Sequence, residues 1–352
     1  MMKLKEIAAK AGVSPSTVSL VIHRRPGVSA AKREEILQLL LENGYDTAQG
    51  PAWQSGAERA IRFIKCKRHA KLVDGNPGFI NMIIDAVGLE CRRQGYELLI
   101  TTCTASGLPE MLRSVRAEQC AGILLLGTEL TEEDLCVLPK LPVPLVLLDN
   151  APPLTPINCI TMDNRAAMLQ SAAYLRSLGH SEIGFLANAL PSSNCLAREA
   201  AYREAMEQAG AAAQIYRVAP TPDGAYKAVR GLLAEGVRFP SALLANNDSI
   251  ALGAIKALRE AGLRIPQDVS VIGFDNIPLS GITDPPLSTM EVPCKEMGIW
   301  ATRLLCDCIQ YPFAAAVKMQ ICTRLLPRRS TAPRKKDDIS GGKIRLKGGN
   351  QL

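Results

Sequence analysis

From Ala60 onward, short continuous apolar runs alternate with stretches of helical periodicity, and this alternation limits the fold more than any other feature of the chain. AIRFIK at 60–65 reads as a strand, FINMIIDAVGLECRRQG at 79–95 as a helix, and YELLITT at 96–102 as the next strand. The pattern continues through GILLLG, LVLLDN, AAMLQSAAYLRSLG, EIGFLA, LAREAAYREAMEQAG, SALLAN, SIALGAIKALREAG and VSVIGFD. Strands that are apolar throughout are buried on both faces, and strands separated by helices pair in parallel through crossovers. The fold class is therefore α/β with doubly wound parallel sheets. About 270 residues exceed what one such sheet commonly holds, so the region divides into two lobes.

The first 45 residues follow a different pattern. Leu4, Ile7, Ala8 and Ala11 recur at i, i+3, i+4 and i+7, and Gly12 stands where a helix ends in a left-handed residue. Ser14 then serves as N-cap and Pro15 as the first helical residue of a second helix, whose buried face is Val18, Val21 and Ile22. Ser29 caps a third helix through Ile36, Leu37 and Leu40 that stops at Asn43 and Gly44. Two helices joined by so short a turn form either a helix-turn-helix or a plain three-helix bundle. Short polar side chains along 15–25, followed by His23, Arg24 and Arg25, favour the former, in which the second helix enters a DNA major groove.

Charge agrees with that reading. Residues 51–71 carry six Lys/Arg against one Asp/Glu and residues 328–352 eight against two, whereas 72–327 are acidic, with 20 against 26. A polyanion partner is thus expected at an end of the chain and not on its middle. The last stretch, 331–352, has no apolar periodicity and reads as a basic, disordered tail. Eleven cysteines without a single C-x-x-C read as reduced, packed thiols, with no metal or cofactor implied. No apolar run approaches the roughly 18 residues that cross a bilayer, and charges interrupt the N-terminal segment where a secretion signal needs none, so a cytoplasmic location is expected.

No phosphate loop, nucleophile elbow or H-E-x-x-H motif occurs, and the three histidines lack partners at catalytic spacing, so no enzyme is expected. Binding is better supported. Ligands of open α/β sheets lie at the carboxyl ends of strands, where this chain places Asp149, Asn247, Asp248 and Asp275. Such residues either contact a ligand or cap the following helix, and Asp248 suits the cap. Arg198 and Tyr202, four residues apart, present a guanidinium and a ring on one helix face.

KLKEIAAKAGVSPSTVSLVIHRRPGVSAAKREEILQLLLENGY, with its A-G-V-S-x-x-T-V-S run and later P-G-V-S, resembles the headpiece of the lactose-repressor and galactose-repressor family of bacterial transcription regulators. The similarity continues through DNRAAMLQSAAYLRSLGHSEIGFL and NNDSIALGAIKALREAGLRIPQDVSVIGFDNIPLSGITDPPLSTM to RLLPRRSTAP. It implies a homodimer that reads operator DNA, usually as a repressor, under control of a small polar effector, a sugar or sugar derivative, with a protein co-regulator as a further partner class. An activator, a sugar-binding module without DNA work and a Rossmann-like enzyme are the alternatives. The domains implied are a headpiece at 1–48, a hinge at 49–60, a two-lobed periplasmic-binding-protein-like core at 61–330 and the tail. Lobe one takes about 61–160 with 293–320, and lobe two about 161–292 with 321–330.

The resemblance places recognition determinants on Pro15, Ser16 and Leu20, with Ser14, Thr17, Ser19 and His23 beside them and Lys5, Arg24, Arg25 and Lys32 on phosphates. Effector contacts fall on Phe79, Asp149, Arg198, Asn247 and Asp275, Phe79 being either a stacking ring or a core residue. Four features depart from the family. Lys3 replaces a capping Thr, Leu20 replaces a guanine-reading residue with a methyl contact, and Gly50-Pro51 breaks the hinge helix. The first strand and its loop, AIRFIKCKRHAKLVDGNPGF, are unusually basic.

Overall fold

A computed structural model describes residues 4–22, 27–43, 60–117, 119–190, 192–311 and 315–334. Lys3, His23, Arg24, Arg25, Gly50-Pro51 and the hinge up to residue 59 lie outside the described residues.

Three short helices come first, α1 (Leu4–Lys10), α2 (Pro15–Ile22) and α3 (Ala30–Glu42). Ile7, Ala8, Ala11, Val18, Val21, Ile36 and Leu40 meet in a core of their own, so this unit packs without help from the rest of the chain. Gly12, at φ +66°, ends α1 in the left-handed region, which lets the Val13 N–H reach the Ala8 carbonyl at 2.9 Å. The Ser14 hydroxyl accepts the Thr17 N–H at 3.1 Å and the Ser29 hydroxyl the Lys32 N–H at 3.4 Å, the two caps read from the sequence.

The remainder builds two lobes. Lobe one contains β1 (Ala60–Lys67), α4 (Pro77–Arg93), β2 (Glu97–Thr104), α5 (Leu108–Arg113), β3 (Gly122–Leu126), α6 (Glu132–Cys136), β4 (Leu145–Leu148) and β5 (Cys159–Met162). Lobe two contains α7 (Asn164–Ser177), β6 (Ile183–Asn188), α8 (Ser193–Gln208), β7 (Gln214–Val218), α9 (Pro222–Ala234), β8 (Ala242–Ala245), α10 (Asp248–Glu260), β9 (Ser270–Asp275), α11 (Pro278–Ile282) and β10 (Ser288–Glu291). The chain then returns α12 (Cys294–Gln310) and β11 (Lys318–Ile321) to lobe one and ends with β12 (Arg324–Leu326) in lobe two. The sheet orders are β11-β5-β4-β3-β1-β2 and β12-β10-β9-β8-β6-β7, the same winding twice. Only the β10–β12 pairing is antiparallel among the described strands. Strands β3, β6, β8 and β9 are buried along their whole length, as continuous apolar runs require.

Two expectations need correction. Strand β5 runs to Met162 within the first sheet, so that lobe extends beyond residue 160. The tail does not begin at 331. His180 Nε2 bonds the Ala332 carbonyl at 3.1 Å and the Arg334 N–H donates to the Leu178 carbonyl at 2.8 Å, which docks the chain through Arg334. In the basic first strand and its loop, Lys65 and Lys67 pair with Asp74, and Arg68 pairs with Asp134.

The loop after β1 is organised by Glu129, whose carboxylate is fully buried. Its Oε2 accepts the N–H groups of Arg68, His69 and Ala70, and its Oε1 those of Leu72 and Val73, at 2.7–3.0 Å. Burial opposes ionisation, but these backbone donors outweigh it and hold the carboxyl below the usual range. Eight of the eleven cysteines are buried and all are free, in keeping with a packing role.

Candidate functional site

The described candidate residues gather in two places. The first is α2. Ser14, Pro15, Ser16 and Ser19 are exposed and Thr17 and Leu20 half-buried, so the helix presents its polar residues outward from the core formed by Val18 and Val21. The Ser14, Ser16 and Thr17 hydroxyls cluster at its N-terminus, Ser14 Oγ lying 2.6 Å from Ser16 Oγ and 2.8 Å from Thr17 Oγ1. Hydroxyl and backbone donors at a helix N-terminus suit phosphate oxygens. Lys5 is exposed on α1, while Lys32 forms a 2.9 Å ion pair with Glu35 on its own helix.

The second is the cleft between the lobes. It is lined by Leu72, Asn76, Phe79 and Ile80 from the first loop and α4, by Thr128 and Asp149 from the ends of β3 and β4, and by Ser192, Asn194, Cys195, Arg198, Asn246, Asn247 and Asp275 from lobe two. Its cavity is small, about 40 Å³. That is room for a water or two, and a ring-sized ligand requires the lobes to part. Asp149 and Asp275 occupy matching positions at the carboxyl end of the fourth strand of each sheet, Asp149 just after β4 and Asp275 as the last residue of β9. Both have positive φ, 59° and 109°, a conformation that costs a non-glycine residue energy and is tolerated where function fixes it.

Arg198 lies between them. Its Nε donates to Asn164 Oδ1 at 2.8 Å and a terminal nitrogen to the Asn246 carbonyl at 2.6 Å. The other terminal nitrogen is 3.9 Å from Asp275 Oδ1, and the guanidinium stacks on Phe274 at 3.6 Å. Burial pushes the Asp149 carboxyl up to about 6, opposed by the Thr128 hydroxyl, the Arg198 charge and the Asn194 amide. Burial likewise raises Asp275 to about 7, against the pull of Arg198. Behind them Asp248 is raised to about 8 by burial and by Asp275. Its carboxylate accepts the Thr289 hydroxyl and the Ile277 N–H. Gly273 is needed there, since a Cβ would stand 2.1 Å from Asp248 Oδ1.

The structure brings Phe79, Asp149, Arg198, Asn247 and Asp275 to one cavity, with three changes of detail. Tyr202 does not face the cleft. Its hydroxyl is buried, donating to the Ile183 carbonyl and accepting the Gln214 N–H, because one turn of α8 beyond Arg198 the helix lies against the start of β6 and β7. The cap of α10 is Asn247, whose Oδ1 accepts the Ile250 N–H at 2.9 Å, and not Asp248. Arg198 also supports the fold through Asn164 and Asn246. Sequence reasoning missed Asn76, Thr128, Asn194 and Asn246. The N-P, S-S-N and N-N runs at helix starts are the sequence signal for three of them.

Comparison with known proteins fits this geometry. The signature of bacterial regulatory proteins of the lacI family spans residues 3–47, and that of a periplasmic binding protein-like domain spans 172–331. The HTH-type transcriptional repressor PurR of Pasteurella multocida (strain Pm70) is 30% identical over 346 residues, 95% of this chain and 100% of that protein. The HTH-type transcriptional regulator MalR of Streptomyces coelicolor is 33% identical over 352 residues, 94% of this chain and 96% of its own. Among solved structures, a complex of the transcriptional regulator CelR with cellobiose superposes with TM-score 0.69 at 27% identity, covering 94% of this chain and 100% of that one. The lac repressor dimer bound to operator shares the fold, with TM-score 0.70 at 24% identity, covering 94% and 99%. A helix-turn-helix headpiece joined to a two-lobed periplasmic-binding-protein-like core defines a DNA-binding transcription regulator. The chain belongs to the lacI family of bacterial regulatory proteins. No described helix is long and apolar enough to cross a membrane.

Proposed function

We propose that this protein is a repressor whose α2 reads operator DNA and whose inter-lobe cleft takes a small polyhydroxylated effector, a sugar or sugar derivative. One observation carries the reading: two buried carboxylates, one from each lobe, face a single cavity beside an arginine and four asparagines. Carboxylates and amides bond vicinal hydroxyls, while Phe79, Leu72 and Ile80 offer an apolar wall to a ring. The relatives named as repressors support the sign of regulation, and the CelR–cellobiose complex supports the ligand class.

The protein acts as a homodimer in this reading. Leu89 of α4, Leu99 and Ile100 of the edge strand β2, and Ile282 of α11 are exposed, and exposed apolar residues of this size favour burial against a second copy. No catalytic step is assigned to any residue. The test is a thermal-shift screen of mono- and disaccharides and their phosphates, followed by DNA-binding measurements with each ligand that stabilises the protein. A sugar that raises the melting temperature and changes DNA affinity supports the reading. A ligand set that stabilises the core without altering DNA affinity overturns the coupling.

A further inference from the structure

The two lobes meet through bonds that repeat with the symmetry of the fold. Helix α4 follows the first strand of sheet one, and α8 follows the equivalent strand of sheet two. At the start of α4, the Asn76 amide donates to Asp275 Oδ2 across the cleft at 2.7 Å. At the start of α8, the Asn194 amide donates to Asp149 Oδ1 at 2.7 Å and to the Asp149 carbonyl at 3.0 Å. In each case an asparagine at the start of the helix that follows the first strand of one sheet bonds an aspartate at the end of the fourth strand of the other. Asn76 occupies the N-cap position of α4 yet makes no capping bond, its side chain being turned across the cleft. Asn194 is satisfied on its acceptor side as well, its Oδ1 taking the Thr161 hydroxyl and the Asn164 amide.

We infer that Asn76–Asp275 and Asn194–Asp149 are a matched pair of latches that hold the lobes shut, and that Asn76 and Asn194 are positioning residues for closure. The inference rests on the cleft geometry alone and does not require the effector to be a sugar. A ligand hydroxyl that bonds either aspartate competes with its latch, so the closed cavity of about 40 Å³ and ligand entry are alternatives.

Cys195 gives a direct readout, since it lines the cavity and is 8% exposed. Full-length protein without ligand is treated with iodoacetamide, and alkylation at each cysteine is followed by mass spectrometry. Cys136 and Cys322, which are exposed, calibrate reagent strength, and Cys120 and Cys306, which are buried, report intact folding. Asn76→Asp, alkylated at pH 8.5 where Asp275 has lost its proton, sets a second carboxylate against it and is expected to speed Cys195 alkylation by about tenfold or more relative to wild type at the same pH, the range of one charge-assisted hydrogen bond. The exchanged pair, Asn76→Asp with Asp275→Asn, restores donor and acceptor and is expected to return the rate to within about twofold of wild type, because complementarity is regained. An unchanged Cys195 rate in Asn76→Asp overturns the latch, as does a rate that the exchange fails to lower. If Cys120 and Cys306 also become reactive, Asn76→Ser decides by the same two criteria: a faster Cys195 with protected Cys120 and Cys306 supports the latch, and no change overturns it.

Discussion

Replacing Arg198 by Met keeps most of its volume over Phe274 and removes a buried charge shared by two carboxyls. Two costs follow, and pH separates them. The Asn164 Oδ1 and Asn246 carbonyl acceptors lose their donors at any pH, which costs about 2–4 kcal/mol together. The second cost is electrostatic. Asp149 at about 6 and Asp275 at about 7 hold protons in the folded state that the unfolded chain has released above pH 4. Stability therefore falls as pH rises through those values. Without Arg198 both carboxyls titrate higher still, so the decline continues where wild type has levelled off. At pH 5 both are protonated in either protein and the second cost is absent. At pH 8 it reaches at most roughly 4 kcal/mol, from 1.36 kcal/mol for each pH unit that separates 8 from the two wild-type values. Urea unfolding of the core at pH 5 and pH 8 checks this. Equal losses at the two pH values would refute the view that Arg198 neutralises this cluster.

Two further outcomes are expected. Glu129→Gln replaces a carboxylate that collects five backbone donors with an amide that clashes with some of them, and should cost about 3 kcal/mol at pH 7 by calorimetry. Because the folded Glu129 carboxyl titrates below its ordinary 4.5, its stabilisation is present above that pH and disappears as pH falls through the lowered value, so wild type and variant should converge in acid. Ser14→Ala removes the cap of α2 and should cost the headpiece about 1 kcal/mol, weakening DNA binding while the melting of the core is unchanged.

The alternation of strands and helices was legible because each lobe buries its sheet on both sides, which writes continuous apolar runs such as GILLL into the chain. The headpiece was legible for a related reason: Gly12, Ser14 and Ser29 perform local jobs that need no distant partner. The cleft was half legible. Asp149 and Asp275 stand out as charges after apolar strands, but the residues that bond them do not. Asn76 and Asn194 look like ordinary helix starts, and only the facing of two separately folded sheets reveals their partners about 200 and 45 positions away. The Arg198–Tyr202 pairing failed because the face of α8 that they share is the buried one, and Tyr202, one turn further from the cleft, bonds the backbone of Ile183 and Gln214 instead. Part of the charge excess of 51–71 is neutralised by Asp74 and Asp134 once the loop folds, which the sequence order does not display.

If the headpiece reads a specific DNA sequence, selection from a random-sequence duplex library with the full chain, beside a version that starts at residue 49, will show it. The full chain is expected to enrich one two-fold-symmetric sequence, as a dimer requires, with an affinity whose logarithm falls linearly with log[salt] by about 0.9 for each phosphate contacted. The shortened chain should enrich none. A full chain that enriches no sequence, or a shortened one that enriches the same sequence, would show that the headpiece is not a sequence reader.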